Sequence, residues 1–361
     1  MTHSSRRLFL ATSAVGALST EPLFSAISQS ADPVRVGQIG TKHAHAGGKM
    51  SAMRKFPDLF DVVGVAEPDD QQRERMKNAP AYQGLKWMAE EELLNLNGLE
   101  AVTVETHVDQ LLDTAERCVD SGKHIHLDKP AGTSLSQFKK ICSSADAQRL
   151  MIQMGYMFRS NPAFRFTFNA VRKGWLGDIF QVHCEMSKKV SNASRRSLSR
   201  FPGGSMFELG CHLIDAVVTV LGQPKNISAF NRNSRPEFDN LKDTCLAVFE
   251  YPNATASIRS SVCEVNGGQR RQFVVCGTKG TIVIRPLEPF RVSLTLESDT
   301  GDYKRGTHSI ELPVSTGRYD GDMQHFAAVI RGKQIAEYNT THDLIVQEAI
   351  LRASEMPVNT S

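Results

Sequence analysis

A chain of 361 residues with 40% apolar side chains is long enough to form two domains with proper cores. Its 42 lysines and arginines against 39 acidic residues give a net charge of only +3. With no basic stripe interleaved with aromatics, that balance argues against a nucleic-acid partner. The seven cysteines (118, 142, 184, 211, 245, 263 and 276) stand singly, with no CxxC pair. This excludes a zinc ribbon or a disulfide framework and leaves them as small core hydrophobes.

Residues 1–31 read as a targeting segment. Ser5-Arg6-Arg7-Leu8-Phe9-Leu10 is a twin-arginine pattern, followed by an apolar run from Ala11 to Leu18 that is too short to span a bilayer stably. Ala26, Ser28, Ser30 and Ala31 offer cleavage positions. The expectation is export to the periplasm by the twin-arginine machinery, as a folded and cofactor-loaded protein.

Residues 32–155 alternate strands with helices. Val34 to Ile39 is a buried strand, Gly40 opens a turn, and a helix runs to about Phe56. Asp61 to Ala66 is a second strand, closed by Glu67-Pro68-Asp69. Helical stretches at 70–78 and 89–95 lead to a third strand, Glu100 to Val104. The stretch from Val108 to Asp120 is amphipathic, with Leu111, Leu112, Ala115 and Val119 on one face, and Gly122 caps it. The strand His124-Ile125-His126-Leu127 follows, then a helix from Ser134 to Gln148 and a strand from Leu150 to Gly155. Such alternation predicts a doubly wound parallel sheet of Rossmann type.

Residues 156–361 read as an α+β domain. A helix at 162–173, a strand at 179–186, a basic Ser-rich loop at 187–201 and a helix from about Ser205 precede several short strands up to Val314. Those strands predict an open, largely antiparallel sheet, and helices at 321–331 and 341–355 close the chain. In the CLAVFEY strand, Ala247, Phe249 and Tyr251 alternate with Leu246, Val248 and Glu250, so both faces carry bulky side chains. A second sheet would cover the outer one, which predicts a homo-oligomer.

The first strand-turn-helix is where a Rossmann sheet holds a pyrophosphate. Here Gly40-Thr41-Lys42-His43-Ala44-His45 keeps only the first fingerprint glycine; Lys42 and His45 occupy the places of the other two. Two readings stand: a modified site in which Lys42 or His43 offers charge to the pyrophosphate, or a site that has lost its dinucleotide. Glu67, ending the second strand, suits ribose hydroxyls and repels a 2′-phosphate, which favours NAD over NADP. His107 follows the third strand. Further on, Asp128-Lys129-Pro130 ends the histidine strand, because proline donates nothing to a ladder. Lys129 is thereby held extended, pointing at the crevice where such sheets bind ligands.

Asp128-Lys129-Pro130, together with Gly203-Gly204-Ser205-Met206-Phe207-Glu208-Leu209-Gly210-Cys211-His212-Leu213-Ile214-Asp215, resembles the Gfo/Idh/MocA oxidoreductase family. Supporting matches are Gly155 to Pro162, Gly174-Trp175-Leu176-Gly177 and Asp322 to Phe326. The resemblance implies two domains, a nicotinamide cofactor contacted by Gly40, Thr41, Lys42, His43, Glu67, His107, Asp128 and Lys129, and a sugar, polyol or related substrate. It departs in three ways: Asp128 replaces a Glu, Glu208 replaces an Asp, and the fingerprint glycines are incomplete.

Oxidising a carbinol needs a base for the hydroxyl proton and a hydride acceptor facing the carbon. On one helix, Glu208 and His212 are four residues apart, so the carboxylate can orient the imidazole. Lys129, from the other domain, can stabilise the developing alkoxide. The resemblance makes His212 the acid/base, Lys129 its assistant, Glu208 its positioner and Arg159 a substrate contact. A redox-neutral variant on the same scaffold, a lyase or glycosidase that regenerates bound NAD in place, is the near alternative. A carbohydrate-binding protein without catalysis is the distant one. His43, His45, His107, His126 and Asp128 all fall at strand C-terminal ends and form a rival metal-binding set. No helix-spaced HExxH supports it, and no metal is expected.

Overall fold

The computed structural model describes residues 32–314 and 317–358. The twin-arginine stretch lies outside the described residues. Strands β1 (Val34–Ile39), β2 (Phe60–Ala66), β3 (Trp87–Met88), β4 (Ala101–Val104), β5 (His124–Leu127) and β6 (Ile152–Met154) form one parallel sheet in the order 3-2-1-4-5-6. Helices α1 (Ala46–Lys55), α2 (Asp70–Met76), α3 (Glu90–Leu94), α4 (Leu111–Asp120) and α5 (Leu135–Gln148) connect them. All four β4 residues are buried, as expected of a central strand covered on both faces. On α4, Leu111, Leu112, Ala115 and Val119 are buried together with Thr114 and Cys118, the face that the heptad-like spacing predicts. The fold class is therefore the doubly wound Rossmann type.

After α6 (Pro162–Arg172), strand β7 (Ile179–Ser187) opens the second sheet. The helices α7 (Asn192–Leu198) and α8 (Cys211–Leu221) follow it. Strands β8 (Asn226–Arg232), β9 (Thr244–Glu250), β10 (Thr255–Ser261), β11 (Gln272–Gly277), β12 (Gly280–Leu287), β13 (Phe290–Leu296) and β14 (Gly306–Ile310) complete it in the order 14-13-12-11-7-10-9-8. Every pairing is antiparallel except β7 with β10. Cys245, Ala247 and Phe249 point into the core, whereas Leu246 on the outer face is 38% exposed beside its cross-strand neighbour Phe230 at 50%.

Two C-terminal helices return to the first sheet. On α9 (Asp320–Ile330), Met323, Phe326, Ala327 and Ile330 share a core with Val34, Val36, Met50 and Met53. Arg331 clamps Glu100 through two bonds of 2.7 Å. From α10 (Thr340–Ala353), Gln347 accepts from Ala131 N–H at 3.1 Å and donates to the Gly132 carbonyl at 2.8 Å. The segment that follows Lys129 is thus held by the other end of the chain. Among the described residues, no helix is long and apolar enough to cross a membrane.

α1 starts at Ala46, after the turn that Gly40 opens over residues 41–45. Two local expectations change. The Ser-rich loop contains α7, whose first turn is capped by the Ser191 hydroxyl accepting from Ser194 N–H. The helix expected from Ser205 begins as a π-helical turn over Met206–Gly210 before α8 takes over.

Gly40 has φ +87°, and a Cβ there would lie 2.5 Å from the Thr106 nitrogen and 2.7 Å from the Glu105 carbonyl carbon. Backbone against backbone gives no room to yield. Gly40→Ala should therefore cost more than about 2 kcal/mol. A thermal melt unchanged from the parent protein would contradict this.

Candidate active site

The turn after β1 is fastened to the end of β2. Glu67 is buried, and its Oε2 accepts from both the Thr41 N–H and the Thr41 hydroxyl at 2.7 Å, while Oε1 accepts from Asp69 N–H at 3.0 Å. This corrects the expectation for Glu67: its carboxylate holds the turn instead of lining the crevice, and Thr41 spends its N–H on it. Lys42 pairs with Asp69 at 2.9 Å. Beside that pair opens a cavity of about 730 Å³, lined by Lys42, Asp69, Gln72, Arg75, His107 and Arg200 among others. His107 sits on its wall, 2.8 Å from Asp109 and stacked on Phe201.

The second half of the turn bends inward. His43 forms a close ion pair with Asp128, and His45 Nδ1 is 3.2 Å from the same carboxylate. Lys49, one turn into α1 and fully buried, donates to Glu105 at 2.7 Å and lies 3.2 Å from Asp128 Oδ1. Burial favours a protonated Asp128, but His43, Lys49 and His45 outweigh it and hold this carboxyl well below the ordinary range. Glu105 moves the other way, raised by burial and by Asp128 in spite of Lys49. Burial also lowers His45 to about 4, so its imidazole is neutral at pH 7.

Lys129 leaves the end of β5 and crosses to the second sheet's side, where Nζ donates to the Glu208 carbonyl at 2.8 Å. Burial opposes its charge, yet Cys211, Glu208 and Asp128 hold the ammonium above its usual range. His212 is buried one turn beyond Glu208. The rings of Phe158, Tyr156 and His45 surround it at centroid distances of 5.7, 6.2 and 6.3 Å. Burial first, then the Lys129 charge, holds the imidazole well below its usual range, hence neutral.

The expected Glu208–His212 bond is absent among the described residues: Glu208 Oε2 and His212 Nδ1 are both buried without a hydrogen-bond partner. The reason is the π-helical turn. Its wider winding breaks the four-residue spacing that would have stacked the two side chains. The nearest cation to the Glu208 carboxylate is Lys188, at 3.9 Å.

Arg159 is corrected more fully. Its guanidinium is buried, bonds Asp215 at 2.6–3.2 Å and Asp343 at 2.6 Å, and lies 4.0 Å from the Tyr338 ring centroid. Its Nε and Nη2 donors both serve these buried carboxylates. His126 is likewise engaged by Asp322 at 2.8 Å, away from the other histidines.

Two family models match this chain: "Oxidoreductase family, NAD-binding Rossmann fold" over residues 34–156 and "GFO/IDH/MocA C-terminal domain" over residues 164–283. The chain belongs to the Gfo/Idh/MocA oxidoreductase family. An uncharacterized oxidoreductase, YhhX, of Escherichia coli is 25% identical over 63% of this chain and 64% of its own. The trans-1,2-dihydrobenzene-1,2-diol dehydrogenase of Bos taurus is 25% identical over 53% and 56%. The chain thus spans less than two thirds of the length of these two relatives. A levoglucosan dehydrogenase solved with NADH and levoglucosan superposes with a TM-score of 0.77 at 15% identity, covering 90% of this chain and 98% of that one.

The crevice of this family member fits its NAD. The cavity lies at the C-terminal ends of the parallel strands, its volume is within the roughly 300–1,000 Å³ of ligand pockets, and Lys42, Arg75 and Arg200 complement a pyrophosphate. Lys49 and Glu105 are central residues that the sequence reading missed. The available signal was a lysine at the spacing of α1's buried face, with Ala46, Met50 and Met53.

Removing the Arg159 guanidinium leaves Asp215 and Asp343 without their cation. Arg159→Met should destabilise the protein by about 3–5 kcal/mol, the usual cost of halving a buried ion pair. A raised KM with an unchanged melting curve would instead return Arg159 to the substrate.

Proposed function

We propose that the protein is an NAD-linked dehydrogenase that oxidises a secondary hydroxyl of a sugar, polyol or similar diol. His212 takes the hydroxyl proton, and Lys129 donates a hydrogen bond to the same oxygen. The observation that carries this reading is the meeting of Lys129 and His212. A charged ammonium from the end of β5 reaches the π-helical turn immediately before a buried, neutral imidazole. Such a pair can accept a proton and stabilise the resulting oxyanion at once. NAD, when bound, supplies the hydride acceptor. Lys42, Arg75 and Arg200 would hold its phosphates, and Asp69, which lines the cavity in place of Glu67, is the acidic residue left to discourage a 2′-phosphate.

The substrate class rests on the relatives. One solved neighbour is a levoglucosan dehydrogenase and another is the UDP-N-acetylglucosamine 3-dehydrogenase GnnA of Acidithiobacillus ferrooxidans, at 16% identity and TM-score 0.71 over 90% of this chain and 97% of that one. The bovine relative is named for a diol. The twin-arginine pattern supports export to the periplasm after folding. An enzyme working there keeps its cofactor between turnovers, which suits a redox-neutral cycle as well as net oxidation.

His212→Ala and Lys129→Ala should each lower kcat by at least about a hundredfold, the usual worth of acid–base help, while NAD is still found by mass spectrometry of the natively purified variants. Full turnover in either variant ends the assignment; a parent protein without copurified NAD, and without NAD binding on titration, ends the dehydrogenase reading.

The outer face of the second sheet, with Phe230 and Leu246 side by side, supports self-association. Light scattering at micromolar concentration should give a multiple of the subunit mass, and a monomer mass would refute it.

A further inference from the structure

His43 and His45, the second of which stands where a fingerprint glycine would, converge on one carboxylate. The ligand atoms of His43, His45 and Asp128 all lie within 4.8 Å of one another. His43 Nδ1 and Asp128 Oδ2 face each other as a close ion pair. Asp128 Oδ1 is shared by Lys129 N–H at 2.7 Å, His45 Nδ1 at 3.2 Å and Lys49 at 3.2 Å. Two buried polar atoms of the same neighbourhood, Glu208 Oε2 and His212 Nδ1, have no hydrogen-bond partner among the described residues, and the His45 and His212 rings are 6.3 Å apart. Native interiors rarely leave such atoms unsatisfied.

We propose that His43, His45 and Asp128 form a binding site for one divalent first-row transition-metal ion. Two imidazole nitrogens and one carboxylate oxygen are the donor set of catalytic zinc and of non-haem iron(II), and they are a poor match for calcium or magnesium, which take oxygen ligands. Ligand atoms about 2.0–2.2 Å from a tetrahedral zinc ion lie about 3.4 Å from one another, so the close His43–Asp128 pair has to open while the set as a whole, now within 4.8 Å, draws in around the ion. Asp128 is kept ionised and fixed by Lys129 N–H and Lys49, the arrangement by which outer partners orient a ligating carboxylate. Three protein ligands leave coordination positions open, and His212 borders them. Asp128 faces Lys49 and Glu208 stands beside Lys129, so a divalent ion does not enter an all-cationic cavity. His107 and His126, which the sequence places in the same group, are outside it, held by Asp109 and Asp322.

The inference does not depend on the reading of His212 as a base, and its test does not use turnover. The full-length protein, stripped with EDTA, is titrated with Zn2+ by calorimetry and with Co2+ by visible absorption. One equivalent of Zn2+ and cobalt d–d bands of a low-symmetry site are expected. His43→Ala and His45→Ala should each weaken binding by at least about tenfold, and His107→Ala should leave it unchanged. Circular dichroism of each variant confirms that it is folded. Absence of stoichiometric Zn2+ and Co2+ binding overturns the proposal and leaves His43 simply paired with Asp128. Undiminished binding in the folded His43→Ala/His45→Ala double variant overturns it equally.

Discussion

One buried carboxylate fixes the geometry of this crevice. Asp128 has no exposed surface, and its partners come from three places: the His43–His45 turn, Lys49 of α1 and the backbone of Lys129. An ionised carboxylate cannot sit in such a place without them, because the desolvation cost of a lone buried charge is several kcal/mol. The dependence is mutual. Lys49 is as deeply buried and has Asp128 and Glu105 as its ion-pair partners. The turn, the first helix, the end of β4 and the end of β5 are therefore held in register by one small group of charges. The reach of Lys129 across to the second sheet follows from that register.

The departures from the family pattern fit one another in space. Of the two side chains that stand where a pyrophosphate-binding loop has glycines, His45 points at the end of β5 and Lys42 pairs with Asp69. Where the family's strand ends in Glu, this chain has the shorter Asp. Withdrawing the carboxylate by one methylene leaves room for two imidazoles beside it. The crevice is thereby divided. Its outer part, between β1, β2 and the His107 loop, keeps a large cavity with cationic walls. Its inner part is filled with titratable groups from both halves of the chain.

Much of this was legible in the sequence, and the reasons are physical. Alternating apolar runs and amphipathic helices follow from burial on both faces of a parallel sheet, so the strands of the first sheet lie close to their expected places. Lys129 and His212 were marked by motifs whose local constraints, a following proline and a glycine-flanked helix start, survive without tertiary context. What failed depends on partners far along the chain. Glu67 reads as a free acid at a strand end, but a threonine 26 residues earlier donates both its N–H and its hydroxyl to it. Arg159 reads as a cation near a pocket, but Asp215 and Asp343, 56 and 184 residues away, neutralise it. Lys49 goes unmarked because its counter-charges, Glu105 and Asp128, follow other strands.

The π-helical turn explains how His212 is positioned without a carboxylate. Inserting one residue's worth of extra winding turns Glu208 away, so no charged partner fixes the ring or raises its basicity. The aromatic rings of Tyr156 and Phe158 hold it by shape instead. Burial and the neighbouring Lys129 keep it unprotonated, so it is always ready to accept a proton but holds one weakly. A weak base removes a hydroxyl proton only if the charge left on oxygen is neutralised as it forms. Lys129, kept charged by the acidic groups around it, is placed to do that. In the proposed mechanism the two residues act as a pair, and a buried carboxylate, two histidines and a second lysine fix where Lys129 stands.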